Sequence, residues 1–258
     1  MPDRWFDFFW VTPLQGVPAS VAFGLYSPTH FAILAVLFTG VACTVWAYRR
    51  GDERRRRRIR LVLGVGVVAS EVARQIAYLS LGPYDPSLIP LHMCGAATFC
   101  VFVDALRPNS WTREFLYALG TWGAAAALLF PDWARMPWFN FFTWQSFLIH
   151  ACILAYALCF LVSREFTPRA ANLWKVAVMM AVIVPLAAVV NAALGTNFWY
   201  LNTGSPGSPL APIQAATGRA YLPTLTVILL ILWFVMYLPW ELVRRRTTRR
   251  LALAAVPR

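Results

Sequence analysis

The chain has 258 residues, of which 59% are hydrophobic and 13% charged, with a formal net charge of +12. This composition excludes an ordinary soluble domain and predicts an all-α protein that crosses the bilayer several times. Arginines in the short loops of such a protein are orientation signals, so the positive charge does not predict nucleic-acid binding. We expect membrane phospholipids as partners and a multi-pass location in the cell membrane, and nothing in the sequence indicates an oligomeric state.

Three regions are predicted in chain order. Residues 1–29 are expected to lie at the membrane interface, because their tryptophans and phenylalanines stand beside aspartates and two prolines interrupt them. Residues 30–240 are predicted to form a seven-helix transmembrane domain, since about 20 apolar helical residues span the hydrocarbon. Residues 241–258 are predicted to form a basic cytoplasmic tail. The expected helices are 30–48, 59–81, 90–106, 113–130, 142–163, 173–194 and 221–240.

Charge predicts the orientation of these helices. Most of the 23 basic residues fall in alternate loops and in the tail, so the positive-inside rule places the N-terminus outside and the C-terminus in the cytoplasm. The arginine run at 54–58 is interpreted as an anchor of this kind. The longest outer loop, 195–220, is rich in Gly, Pro, Ser and Thr and is expected to cover the outer face.

Strongly polar side chains in the predicted helices concentrate in the outer half of the bilayer. Such groups are costly in lipid and usually functional. The inner half holds little besides Asp104, which we expect to face the cytoplasmic headgroups. The candidate substrate-binding residues are Glu71, Arg74, Gln75, His92, Gln145, Ser146, Asn191 and Asn197.

The first three of these candidates share one face of a helix. Glu71, Arg74 and Gln75 lie three and four residues apart, so their side chains can pair. A buried Glu–Arg pair is often structural. Arg74 is also suited to hold a phosphate or carboxylate, because a guanidinium binds such groups through two parallel hydrogen bonds. The sequence leaves both roles open.

Cys94 and His150 are the candidate catalytic residues. A cysteine is a nucleophile only as a thiolate, so it needs a neighbouring base or cation. His92 is two residues from Cys94 and therefore points roughly 200° around the helix from it. His150 belongs to another predicted helix and lies deep enough to face Cys94, which makes it the better base. This pattern predicts acyl transfer or lipid ester chemistry.

Several motifs carry a resemblance to a known family over roughly residues 30–240. They are Pro90-Leu91-His92-Met93-Cys94, Phe130-Pro131-Asp132, His150, Asn191 with Gly195-Thr196-Asn197, and Trp199-Tyr200-Leu201. In these the chain resembles the YwaF-type bacterial integral membrane proteins. That family is similar to the eukaryotic transmembrane protein 164 acyltransferases, which move polyunsaturated acyl chains onto ether phosphatidylethanolamine with a cysteine and a histidine.

The resemblance implies a phospholipid acyltransferase, with Cys94 as the acyl-accepting nucleophile and His150 as the base. The chain departs from the family pattern at one place. An acidic residue is expected before Gly218 and Tyr221, where this chain has Gln-Ala-Ala-Thr at 214–217.

Other functions are compatible with the same residues. The main alternative is a non-enzymatic small-molecule or lipid transporter or binding protein with a polar intramembrane pocket, although polar groups that stop halfway argue against a pathway. A haem or metal site could use His92, His150 and Cys94, but we expect no cofactor and no metal. A retinal protein is excluded, because the only lysine, Lys175, is not in the last predicted helix.

Overall fold

The computed structural model describes residues 5–254, with side chains described for residues 7–248. This part of the chain contains helices and loops and no strand. The helices are α1 (Pro28–Arg50), α2 (Glu53–Leu81), α3 (Met93–Leu106), α4 (Ser110–Phe115), α5 (Thr121–Leu129), α6 (Phe141–Val162), α7 (Leu173–Leu194), α8 (Leu210–Thr217) and α9 (Tyr221–Ala254). A π-helical segment, Leu116–Gly120, joins α4 to α5 in one continuous helix. With the short α8 set aside, seven long helices remain, which confirms the predicted all-α bundle.

Six of the seven long helices are long and apolar enough to cross a membrane. The fourth, at 110–129, is interrupted by its π-helical segment and lies inside the bundle. Its residues from Thr112 to Gly120 are all buried, and α6 beside it is buried over most of its length. A helix buried on all sides is typical of a bundle centre. These two helices therefore form the core around which the others pack.

Two helices begin at residues other than those predicted from the sequence. Asp52 accepts a hydrogen bond from the Arg55 backbone N–H and begins α2 at Glu53, so the arginine run at 54–58 is helical and does not lie in a loop. Helix α3 begins at Met93 with His92 as its N-cap residue, three residues later than expected. Cys94 therefore lies in the first turn of α3.

The end of the bundle that carries the arginine run, called here the arginine-rich end, contains a buried acid. Asp104 is 0% exposed. It accepts hydrogen bonds from Thr112 Oγ1 at 2.8 Å, Tyr156 Oη at 2.9 Å and Arg113 Nε at 3.2 Å. The expectation that Asp104 faces the headgroups is therefore wrong, because the carboxylate satisfies its hydrogen bonds inside the protein.

A second acid extends this network. Glu165 pairs with Arg56 at 3.3 Å and with Arg60 at 3.4 Å, and Tyr48 Oη donates to it at 2.8 Å. Arg113 completes the link, with a guanidinium nitrogen 3.7 Å from the Glu165 carboxylate. Two arginines of the α2 start thus tie α2 to the α6–α7 loop, a role beyond the membrane anchor that the sequence suggests.

The N-terminal segment is docked onto the loop before α6. The Asn140 side chain donates to the carbonyls of Phe8 and Val11 at 2.8 Å each, and the Phe23 backbone N–H donates to Met136 at 3.1 Å. Residues 1–4 of the predicted interfacial segment lie outside the described residues. At the other terminus α9 continues as a helix to Ala254, and residues 255–258 of the predicted tail likewise lie outside them.

The contact between α2 and α3 depends on a glycine. A Cβ at Gly64 would lie 2.5 Å from Ala105 Cβ, whereas a Cβ at Gly66 would meet nothing within 4 Å. We expect Gly64→Ala to destabilise the protein by about 1–3 kcal/mol through overpacking. Gly66→Ala should be neutral or stabilising by up to about 1 kcal/mol, since alanine is the better helix former. Thermal unfolding in detergent measures both changes.

The second-site variant Ala105→Gly tests the cause of this loss. It should restore most of the stability of Gly64→Ala, because it removes the atom with which the new Cβ collides. Equal unfolding temperatures for Gly64→Ala and Gly66→Ala would show that the two helices do not pack this closely.

Candidate functional site

The candidate site lies around the start of α3, at the end of the bundle opposite the arginine-rich end. Cys94 is a free, half-buried thiol in the first turn of this helix. Electrostatic interactions link it to Arg74, Glu71 and Asp132. The backbone N–H groups of a first turn and their partial positive charge stabilise a neighbouring anion. Arg74 and the start of the helix therefore favour a thiolate at this position, whereas burial and the carboxylates of Glu71 and Asp132 oppose it.

The chain before Cys94 turns tightly against the helix. A Cβ on Gly95 would overlap the carbonyl of Pro90, so only glycine fits where residues 90–92 cross the start of α3. The Trp199 indole N–H donates to the Leu91 carbonyl at 2.8 Å. These contacts fix the direction in which α3 begins and hence the position of the thiol.

His150 is held in one orientation on α6. Its side chain is 6% exposed, its ring stacks on Trp133 with 5.4 Å between centroids, and its Nδ1 lies 2.6 Å from the Ser146 carbonyl oxygen. A carbonyl oxygen can only accept, so Nδ1 carries the proton and Nε2 of the neutral ring keeps a free lone pair. This is the tautomer that a general base requires.

The charges of the same two side chains act on Cys94 and on His150. Arg74 and Asp132 interact electrostatically with the His150 ring as well as with the Cys94 thiol. Among the described residues no hydrogen bond joins the two side chains directly. Catalytic hydrogen bonds are often long in proteins without substrate and shorten when it binds.

His92 contacts the loop that follows α7. Its Nδ1 accepts a hydrogen bond from the Trp199 backbone N–H at 3.3 Å, and its ring lies 5.1 Å from Phe198 and 5.2 Å from Tyr200. Because Nδ1 is the acceptor, the neutral ring carries its proton on Nε2. His92 is thus oriented as a hydrogen-bond donor and differs from His150 in its protonated nitrogen.

The charged group on α2 is satisfied within the protein. Arg74 binds Glu71 through two hydrogen bonds of 2.6 and 3.0 Å, and Gln75 Nε2 donates to Glu71 at 2.7 Å. Gln75 also donates to the Leu88 carbonyl at 2.9 Å. This triad therefore anchors the loop before α3, and it leaves Arg74 near Cys94 with much of its charge balanced by Glu71.

Two predicted substrate-binding amides hold the loop after α7. Asn191 Oδ1 accepts from Thr196 Oγ1 at 2.8 Å and from the Phe198 N–H at 2.7 Å, while its Nδ2 donates to the Phe198 carbonyl. Asn197 Nδ2 donates to Thr203 Oγ1 at 2.7 Å. These described bonds give both amides a role in shaping the loop against the site.

The same loop contains strained backbone at the site. Trp199 and Tyr200 both have φ in the left-handed region, at 59° and 52°, which is unfavourable for bulky residues and is often found at functional sites. The Tyr200 hydroxyl donates to Asp132 at 3.0 Å. Burial raises the pKa of Tyr200 above its usual range, so the hydroxyl stays protonated and remains a donor at physiological pH.

Asp132 is the site residue that residue-by-residue reasoning missed. It is exposed in a loop outside the long helices, so the search for polar groups inside apolar segments passes over it. It interacts electrostatically with Cys94, His92 and His150. The only signal in the sequence is its place in the Phe130-Pro131-Asp132 motif.

Two further predicted residues lie four and five residues before His150 on α6. Ser146 contributes its backbone carbonyl to the His150 contact. Gln145 is 6% exposed, and its Nε2 is buried without a hydrogen-bond partner among the described residues. An amide in this position is unusual, because buried polar groups are nearly always bonded.

In the segment 214–217, where the family pattern predicts an acid, Gln214 bonds to the loop that follows α7. Its Oε1 accepts from the Gly204 N–H at 2.9 Å and its Nε2 donates to the Asn202 carbonyl at 2.9 Å. An ionised carboxylate could accept the first bond but could not donate the second. The amide thus gives this chain a loop contact that an acid would not make.

Comparison with known proteins matches most of the chain to one family. The family model described as the TMEM164 family matches residues 25–237, which include all seven long helices up to Tyr237 and the loops around Cys94 and His150. No curated protein and no solved structure matches the chain.

Proposed function

The chain belongs to the TMEM164 family, and we propose that it is a lipid acyltransferase or transacylase of the cell membrane, close to the YwaF-type bacterial branch. Its partners are membrane phospholipids, and its N-terminus faces outward. One observation supports the chemistry above the others. Cys94 lies in the first turn of a helix, His150 has a free Nε2, and the charges of Arg74 and Asp132 act on both, in a bundle of apolar helices.

In the proposed reaction His150 Nε2 takes the proton of the Cys94 thiol. The sulfur attacks the carbonyl carbon of a phospholipid ester, the ester C–O bond breaks, and the departing alkoxide receives the proton from the imidazolium. The products of this half-reaction are a Cys94 thioester and a lysolipid. In the second half the hydroxyl of an acceptor lipid loses its proton to His150 and attacks the thioester, and the thiol is restored.

The other site residues have supporting roles in this proposal. His92 donates from Nε2 to the polar part of the substrate, since its Nδ1 is occupied by the Trp199 N–H. Arg74 acts on the thiolate through its charge alone, because its hydrogen bonds go to Glu71 and to the Leu88 carbonyl. Asp132 favours the imidazolium that forms on His150. Among the amides, Asn191 and Asn197 act indirectly by holding the loop over the site.

The transporter alternative has no observation that favours it. The arginine-rich end does contain buried charges, contrary to the expectation that polar groups stop halfway. However, Asp104, Arg113 and Glu165 are bonded to one another and to neighbouring side chains. A pathway for ions or polar solutes requires groups that can exchange their partners for the transported molecule.

An acyl adduct on Cys94 tests the proposal. Purified protein is incubated with a phospholipid of defined acyl chains, and its intact mass is measured. We expect a mass increase equal to one acyl group minus one hydrogen, localised to Cys94 by peptide analysis. The increase should be absent in Cys94→Ala and present in Cys43→Ala, which removes an exposed thiol on α1. An adduct that persists in Cys94→Ala would contradict the nucleophile assignment.

A further inference from the structure

A groove follows the contact between α2 and α6. Where these helices pack, Tyr78 stacks on Phe142 with 4.4 Å between ring centroids. Along the neighbouring stretch α2 presents only the small side chains of Ser70 and Ala73, and a groove of about 310 Å³ results. This volume is at the lower end of the range for small-molecule sites.

The lining of the groove is suited to a hydrocarbon chain. Apart from Ser70 and Gln145 its side chains are apolar, with Trp144 and Leu148 on the α6 side and Phe9 from the N-terminal segment. Leu148 is 48% exposed, and α2 and α6 are both long and apolar enough to span a membrane. The groove therefore opens on the face that contacts lipid, and a lipid chain is the occupant available there.

The groove contains one amide that lacks a hydrogen-bond acceptor, that of Gln145. It lines the groove and is 6% exposed, and its buried Nε2 has no partner among the described residues. A buried donor without an acceptor is costly. An ester carbonyl is the acceptor that a glycerophospholipid carries at the polar end of each acyl chain, and it can only accept.

Along the helix axes, the groove lies at the level of the candidate site. Ser70 and Ala73 are chain neighbours of Glu71 and Arg74, and Gln145 precedes His150 by five residues, or about 7.5 Å along the helix axis. We propose that the groove between α2 and α6 binds an acyl chain of a membrane glycerophospholipid, with the Gln145 amide rotating so that its Nε2 donates a hydrogen bond to the ester carbonyl. Its use as the acyl-donor site rests on the proposed function, whereas the binding itself does not.

Photolabelling tests this site without requiring catalysis. The protein, in the Cys94→Ala background, is placed in phosphatidylcholine vesicles that contain a phosphatidylcholine with a diazirine in one acyl chain. After illumination the label on peptides is measured by mass spectrometry and normalised to the lipid-exposed face of α7. We expect preferential labelling of the α6 segment 141–148.

Three variants define the result. Ala73→Trp fills the groove and should lower this labelling about tenfold. Gln145→Leu keeps the side-chain volume but removes one hydrogen bond, so a decrease of roughly threefold to tenfold is expected. The control Val182→Trp places the same large side chain on an exposed α7 position and should leave the label unchanged. Gln145→Leu keeps the test decisive if Ala73→Trp does not fold.

Two outcomes would overturn the inference. One is equal labelling of segment 141–148 in the parent, Ala73→Trp and Gln145→Leu proteins. The other is a crosslink from this segment to a second copy of the chain in place of lipid. A failure of the proposed chemistry gives a different result. Segment 141–148 would then be labelled as expected, but no acyl adduct would form on Cys94 in the protein that retains this cysteine.

Discussion

Replacing His150 with alanine is expected to lower the rate of acyl transfer by roughly a thousandfold or more, the size of effect seen when a member of a nucleophile–base pair is removed. The neutral imidazole has its Nδ1 proton committed to the Ser146 carbonyl at 2.6 Å, so Nε2 is the atom that accepts the thiol proton. A thiol with the ordinary pKa of about 8.5 is mostly protonated at neutral pH. Without the base, little thiolate forms. Transfer of an isotope-labelled acyl chain between phospholipids in vesicles measures the rate.

The double variant Cys94→Ala/His150→Ala sharpens this prediction. If the two residues act as one unit, the double variant should be no slower than the slower single variant. Cys152→Ala, on the same helix as His150, serves as the control and should stay within about twofold of the parent rate. Rate losses of the two single variants that multiply in the double variant would show that Cys94 and His150 act independently.

Removing the buried acid of the arginine-rich end is expected to destabilise the protein by about 3–5 kcal/mol, the range for a buried ion pair that loses one partner. Asp104 accepts from Thr112, Arg113 and Tyr156 and is 0% exposed. Asp104→Ala would therefore leave the Arg113 guanidinium largely buried with only part of its charge balanced by Glu165. Chemical unfolding in detergent micelles measures the change in free energy.

Two matched variants separate charge from hydrogen bonding. Thr112 and Tyr156 donate to different oxygens of Asp104, so Asp104→Asn keeps an acceptor for only one of them, and we expect a loss smaller than for Asp104→Ala. Arg113→Leu in the Asp104→Ala background should recover part of the stability, because it removes the unpaired charge. A loss below about 1 kcal/mol for Asp104→Ala would mean that the network adds little to folding.

Much of the candidate site could be anticipated from the residues. Cys94 and His150 are ionisable or reactive groups inside apolar segments, and lipid makes such groups conspicuous. The spacing of Glu71, Arg74 and Gln75 likewise predicts the bonds that they form. Asp132 could not be found in this way, because an acid in an exposed loop is ordinary until the chain folds and places it near His150.

The roles of the amides also required the structure. Asn191 and Gln145 have the same functional group in apolar helices, yet Asn191 has all its described bonds within the loop after α7, while Gln145 has none among the described residues. The two amides differ in hydrogen bonding because different segments of the chain pack against them. Helical periodicity does not contain that information, since it places residues around one helix only.

The pattern of apolar runs along the chain was sufficient for the number and kind of long helices, because a span must satisfy its backbone internally and needs about 20 apolar residues. Helix boundaries and charge partners were decided by packing. Asp104 seemed to face lipid headgroups, but Tyr156, 52 residues away in the chain, shares its hydrogen bonds. Contacts of this separation depend on how the helices are arranged, and only the tertiary structure specifies that arrangement.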